Sequence, residues 1–97
     1  MVFIYALKDS EQPAICLFVY STSSPAETYC DILQAHLPYV DNQIARGYMP
    51  YAFLLEEVPD NPETLRAREL YWSYALAVRY TSPTLTQKTT KALEAPP

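Results

Sequence analysis

A chain of 97 residues, 49% of them hydrophobic and with a net charge of -4, suffices for one globular core and is too short for two. Its acidic balance works against electrostatic capture of nucleic acid, whose non-specific affinity comes from lysine and arginine meeting phosphate, and leaves only a local basic patch as a route to such a partner. No run of about 18 apolar residues is present to span a membrane, the start Met1-Val2-Phe3-Ile4-Tyr5 lacks the basic flank of a secretory signal, and a cytoplasmic setting is expected.

Residues 2–7 form a continuous apolar run, and a second run covers residues 14–20 after the polar, proline-containing segment 8–13. Neither alternates with polar residues, so the pair predicts a β-hairpin covered on both faces. Ser24, Pro25 and Glu27 then have the spacing of a capping box with proline at the first helical position, which predicts a helix ending near Pro38. Tyr29, Ile32, Leu33 and His36 fall on its apolar face. A short helical piece over residues 40–46 should close on Gly47 in a left-handed cap. Residues 51–55 read as a third strand, starting after Pro50. Asn61 with Pro62 opens a long amphipathic helix that the pattern carries to residue 80. Residues 82–97 turn to threonine, serine, lysine and proline, which predicts a flexible tail behind a domain of residues 1–81. The two cysteines, Cys16 in a strand and Cys30 in a helix, have no zinc or redox spacing and read as small buried apolar residues.

One residue breaks the pattern of the last helix. Leu65, Glu69, Trp72 and Leu76 lie at steps of four, three and four, so they share one stripe and Glu69 sits inside it. A carboxylate there must be paired, metal-bound or protonated, because an isolated buried one costs several kcal/mol or more. The structural reading is a glutamate satisfied by a hydroxyl or an arginine; the functional reading is a site. Arg66, Arg68 and Arg79 scatter around the helix and are expected to solvate it or to pair with Glu63 or Glu69. No single row that could track phosphates results. With one glycine in the chain, neither a GxGxxG nor a GxxxxGK[ST] phosphate loop exists, and no zinc, flavin, haem or nicotinamide signature is present.

The order strand, strand, helix, short helix, strand, helix resembles the GIY-YIG nuclease domain over residues 1–80. Phe3-Ile4-Tyr5-Ala6-Leu7-Lys8-Asp9 resembles the first strand with Tyr5 at the GIY tyrosine, Phe18-Val19-Tyr20-Ser21-Thr22 resembles the YIG strand, and Arg68-Glu69-Leu70-Tyr71-Trp72 resembles the glutamate helix. The resemblance implies an α+β fold with a small, mainly antiparallel sheet of residues 2–7, 14–21 and 51–56 flanked by helices. It also implies a cleft near Tyr5, Phe18, Tyr20, Thr28, His36, Glu69 and Trp72. Much of the family's catalytic set is missing. Phe18 replaces the second tyrosine, Tyr20 the glycine, Thr28 the phosphate-stabilising arginine, and Ile32 stands one turn later. Tyr5 and Glu69 are vestigial candidates. Loss of one electrostatic donor of this kind commonly costs about two or three orders of magnitude in rate. Tyr20 and His36 are the two residues able to restore polar groups, if their hydroxyl and imidazole reach the cleft.

These readings imply a catalytically degenerate domain that acts by binding a protein partner, as an inhibitory factor. Small stand-alone nuclease folds occur in bacteriophages and mobile elements, so the resemblance extends to a host-antagonising role. Two alternatives are carried: a metal-dependent DNA endonuclease with an altered site, in which Glu69 holds hydrated Mg2+, and a nucleotide-sequestering protein that stacks bases on tyrosine. No cofactor is expected outside the first alternative. Nine tyrosines, three phenylalanines and one tryptophan in so small a domain predict a homodimer or larger assembly.

Overall fold

The computed structural model describes residues 1–83. Three strands, β1 (Val2–Lys8), β2 (Cys16–Thr22) and β3 (Tyr51–Val58), form one antiparallel sheet in the order β2-β1-β3. Three helices flank it: α1 (Pro25–Gln34), α2 (Pro38–Ala45) and α3 (Pro62–Ala75). This is the α+β architecture expected from the sequence. The tail expected over residues 82–97 falls, from residue 84 onward, outside the described residues.

Because side chains alternate across a strand, the central β1 feeds two cores at once. Val2, Ile4 and Ala6 join Val19 and Val58 under Leu65, Trp72, Leu76 and Val78 of α3 and its exit. Tyr5 and Leu7 join Phe18, Tyr20, Ile32 and Val40 on the opposite face, beneath α1 and α2. That explains why β1 and β2 read as unbroken apolar runs. Two irregularities adjust the pairing. Leu7 faces Phe18 while Lys8 faces Cys16, so Leu17 is an extra residue on β2; Ile4 faces Glu56 while Tyr5 faces Leu54, so Leu55 is an extra residue on β3.

Helix boundaries differ from the sequence reading in instructive ways. Pro38 disfavours helical backbone at Leu37, which is extended (ψ 128°) and becomes the N-cap of α2. Helix α1 therefore stops at Gln34, and the second helix runs over Pro38–Ala45 instead of residues 40–46. His36 turns the chain between them with a φ of 55°. Ser24 makes no side-chain cap bond; instead its N–H donates to Thr22 Oγ1 at 2.9 Å, so the expected capping box is not formed. Asn61 does cap α3, accepting from the N–H groups of Glu63 and Thr64 at 3.0 and 3.1 Å. Gly47 closes α2 as expected, with φ of 89° and the paired bonds Tyr48 N–H to Gln43 and Gly47 N–H to Ile44. Cys16 is buried as expected, whereas Cys30 is exposed on α1.

Helix α3 ends at Ala75, five residues short of the expected end. Ala77 takes the left-handed position (φ 48°), with Val78 N–H bonded to Ser73 and Ala77 N–H to Tyr74, the same pattern that Gly47 completes in α2. The chain then runs along the outer edge of β2. Arg79 N–H donates to the Cys16 carbonyl at 3.0 Å and Tyr80 N–H to the Leu17 carbonyl at 2.8 Å. Tyr80 stacks flat on Tyr39 of α2, with ring centroids 3.8 Å apart. An uninterrupted helix would have carried these groups away from the sheet. Among the described residues no helix is long and apolar enough to cross a membrane.

Candidate functional site

Glu69 lines a groove of about 1120 Å³ between β2, α3 and the segment after it. Its stripe packs as the periodicity predicts: Leu65, Trp72 and Leu76 enter the core, and Glu69, half-buried among them, lies toward β2. The Ser21 hydroxyl donates to Glu69 Oε2 at 2.6 Å. Ser21 alternates with Val19 on the face of β2 that α3 covers, and it sits directly across from Ile4. On the other side of the same row, Glu56 of β3 also faces Ile4 and accepts from Arg68 Nε at 2.5 Å and Trp72 Nε1 at 3.0 Å. Helix α3 is thus tied to the two outer strands by one carboxylate from the helix and one from the sheet. The Arg68 hydrogen bond, supported by that of Trp72, holds the Glu56 carboxyl below its ordinary value.

The residues singled out from the sequence do not converge. Glu69 and Thr28 line the groove, and Tyr20 borders it from β2 while its ring belongs to the core on the opposite face of the sheet. Tyr5 and Phe18 belong to the core on the opposite face of the sheet, beneath α1 and α2, and Phe18 is fully buried. Trp72 is half-buried with its ring in the α3 core and its N–H spent on Glu56, so it supports the helix. His36 lies beyond the end of α1, 82% exposed, with Nδ1 3.4 Å from an Asp41 carboxylate oxygen. It is neither on the apolar face of α1 nor among the groove's lining residues.

Tyr20 packs among aromatic rings of the core beneath α1 and α2. Its ring stacks against Tyr5 with centroids 5.7 Å apart and leans on Phe18 at 5.8 Å. Its hydroxyl is buried without a hydrogen-bond partner among the described residues. Burial, with Tyr5 and Tyr29 adding to it, pushes the Tyr20 phenol far above its ordinary value. It stays protonated and cannot serve as a base near neutrality. Thr28, in the place of the expected arginine, shares a 2.6 Å hydroxyl contact with Thr22. That contact joins α1 to the end of β2.

The outer wall of the groove was not read from the sequence. Arg66, Leu70, Ser73 and Ala77 follow at steps of four, three and four, a second stripe adjacent to the buried one, and all four line the groove with Tyr74 and Arg79. Tyr74 is 86% exposed and Leu70 56%. Arg68, by contrast, is engaged by Glu56 and lies 4.5 Å from the Tyr71 ring, in place of the pairing with Glu63 or Glu69 that the sequence suggested. Two signals were available: Ser21 is a hydroxyl directly after the apolar run that ends at Tyr20, and Leu70 with Tyr74 are large apolar residues on the polar side of an amphipathic helix. Compared with protein-family models, curated proteins and solved structures, the chain gives no match.

Proposed function

We propose that the chain is a non-catalytic binding domain of GIY-YIG-like design that engages a protein partner through the outer wall of α3 and acts as an inhibitory factor. The observation that carries this reading is the division of labour on one helix. Its inner stripe uses Glu69 to hold β2, and its outer stripe exposes Leu70 and Tyr74 to solvent with Arg66 on the same stripe. Large apolar side chains at such exposure add little to the core, and aromatic residues with arginine at the rim are the composition of binding surfaces. A partner that fits has apolar pockets for Leu70 and Tyr74 and an acidic border for Arg66 and Arg79.

Support against a nuclease reading is geometric. Tyr5 and Glu69 occupy opposite faces of the sheet, and the Tyr20 phenol is buried and held protonated. One feature favours a second reading, a small anionic ligand such as a nucleotide: Arg66 and Arg79 both line the groove, and neither has an ion-pair partner among the described residues. The test is affinity capture with the wild-type chain, followed by calorimetric titration of the captured protein against wild type, Leu70→Ser with Tyr74→Ser, and Arg66→Ala with Arg79→Ala. The apolar pair should weaken binding at least about tenfold, as truncation of anchor residues does. Equal affinity for the apolar pair, together with nucleotide binding lost in the arginine pair, would transfer the site to the anionic ligand.

A further inference from the structure

We propose that β3 pairs antiparallel, edge to edge, with β3 of a second copy of this chain, so that two three-stranded sheets become one. This surface is separate from the α3 wall and rests on different observations. The sheet has two outer strands, and they are finished differently. The edge of β2 is covered by the chain itself, through the bonds from Arg79 and Tyr80 to Cys16 and Leu17. Along β3, among the described residues, no backbone bond arrives from the outer side. The edge carries neither proline nor lysine, and its bulge at Leu55 and its glutamates at 56 and 57 lie toward one end, so the stretch from Tyr51 to Leu54 is left open to pairing.

The side chains around that edge specify the shape of what covers it. Phe53, opposite Ala6, projects on the α3 face, and Leu54, opposite Tyr5, projects on the other; they are 51% and 48% exposed. Tyr48, Met49 and Tyr51 extend the exposed apolar run toward the start of the strand. A helix laid on one face would shelter only one of these sets. A strand added to the edge shelters both and satisfies the open backbone groups together.

The strand also fits its own reverse. Lys8 lies at the Tyr51 end, paired with Tyr51 and with its Nζ 5.1 Å from the centre of the Phe53 ring, while Glu56 and Glu57 lie at the opposite end. Antiparallel pairing of two copies sets the acidic end of each strand beside the Lys8 end of its mate, with the uncharged stretch from Tyr51 to Leu55 in the middle. A parallel arrangement would place glutamates beside glutamates, which is unfavourable.

The experiment uses the full chain. Light scattering at tens of micromolar should give twice the chain mass, falling to the single-chain mass on dilution, and amides of residues 51–55 should exchange more slowly at the higher concentration. Phe53→Lys with Leu54→Lys should give the single-chain mass with an unchanged circular dichroism spectrum. Tyr74→Ser should leave the dimer intact. If the lysine variant fails to fold, the concentration dependence of exchange in the wild-type chain decides alone. A wild-type chain that is monomeric at these concentrations, with exchange at residues 51–55 independent of concentration, would leave the edge to a foreign strand and overturn the proposal. A dimer that persists in the lysine variant or dissociates in Tyr74→Ser would also overturn it.

Discussion

Among the described residues two other than glycine, His36 and Ala77, hold a positive φ, and each directly follows the C-cap of a helix. Histidine is among the residue types that tolerate this region, but alanine has no side-chain group to compensate for the crowding of its Cβ against the carbonyl. The strain at Ala77 is sustained because Val78 then enters the core and the next two N–H groups reach β2. Ala77→Gly should therefore stabilise the fold, by about 1 kcal/mol after allowing for the greater freedom of glycine in the unfolded chain, read as a higher urea midpoint with unchanged slope. A lower midpoint would show that the left-handed turn at Ala77 carries no strain. Glu69 illustrates the same economy. A carboxylate that looks anomalous along the helix is ordinary once the Ser21 hydroxyl donates to it.

At the scale of elements, α3 is held by carboxylate hydrogen bonds as well as apolar contacts, and its tie to β3 is sensitive to acid. Glu56 titrates below its ordinary value near 4.5 because of Arg68. A carboxyl lowered in the folded state contributes stability that is fully present above the unfolded value and is lost as pH falls through the folded value. The difference in stability between wild type and Glu56→Gln should therefore be about 0.5 to 1 kcal/mol near pH 7 and shrink steadily below about pH 4. Chemical denaturation at several pH values measures it, and a gap that widens toward acid would refute the assignment. Local chemistry explains which elements were legible in the sequence. Asn61 and Gly47 act on backbone groups within a turn of themselves, so their caps could be read directly. The true ends of α1 and α3 were not legible for different reasons. At α1 the restriction imposed by Pro38 was present in the sequence, but the pattern alone did not show that His36 would turn the chain. At α3 the helix ends because distant groups, the Cys16 and Leu17 carbonyls, accept from Arg79 and Tyr80, and no local signal encodes that. The inward, partly buried stripe of α3 was read correctly by period, whereas the partners Ser21 and Glu56 needed the sheet to be assembled first.

Among the described residues the molecule presents a sheet with one edge finished by its own chain, one edge open, and a helix that exposes Leu70 and Tyr74 on its outer wall. The two proposed surfaces, the β3 edge for a second copy and the α3 wall for a different protein, lie on different elements and are compatible. Within that arrangement Glu69 is a fastening between α3 and β2, and this is the central claim. Glu69→Gln should lower stability by about 1 kcal/mol, the scale of a partly buried hydrogen bond to a charged group that is weakened but not abolished. The most direct test is to incubate the purified chain and Glu69→Gln with duplex, branched and single-stranded DNA in the presence of Mg2+ or Mn2+. We expect no cleavage above the buffer background by either protein. Metal-dependent cleavage by the wild-type chain that survives further purification and disappears in a folded Glu69→Gln would contradict the account and make Glu69 a catalytic residue.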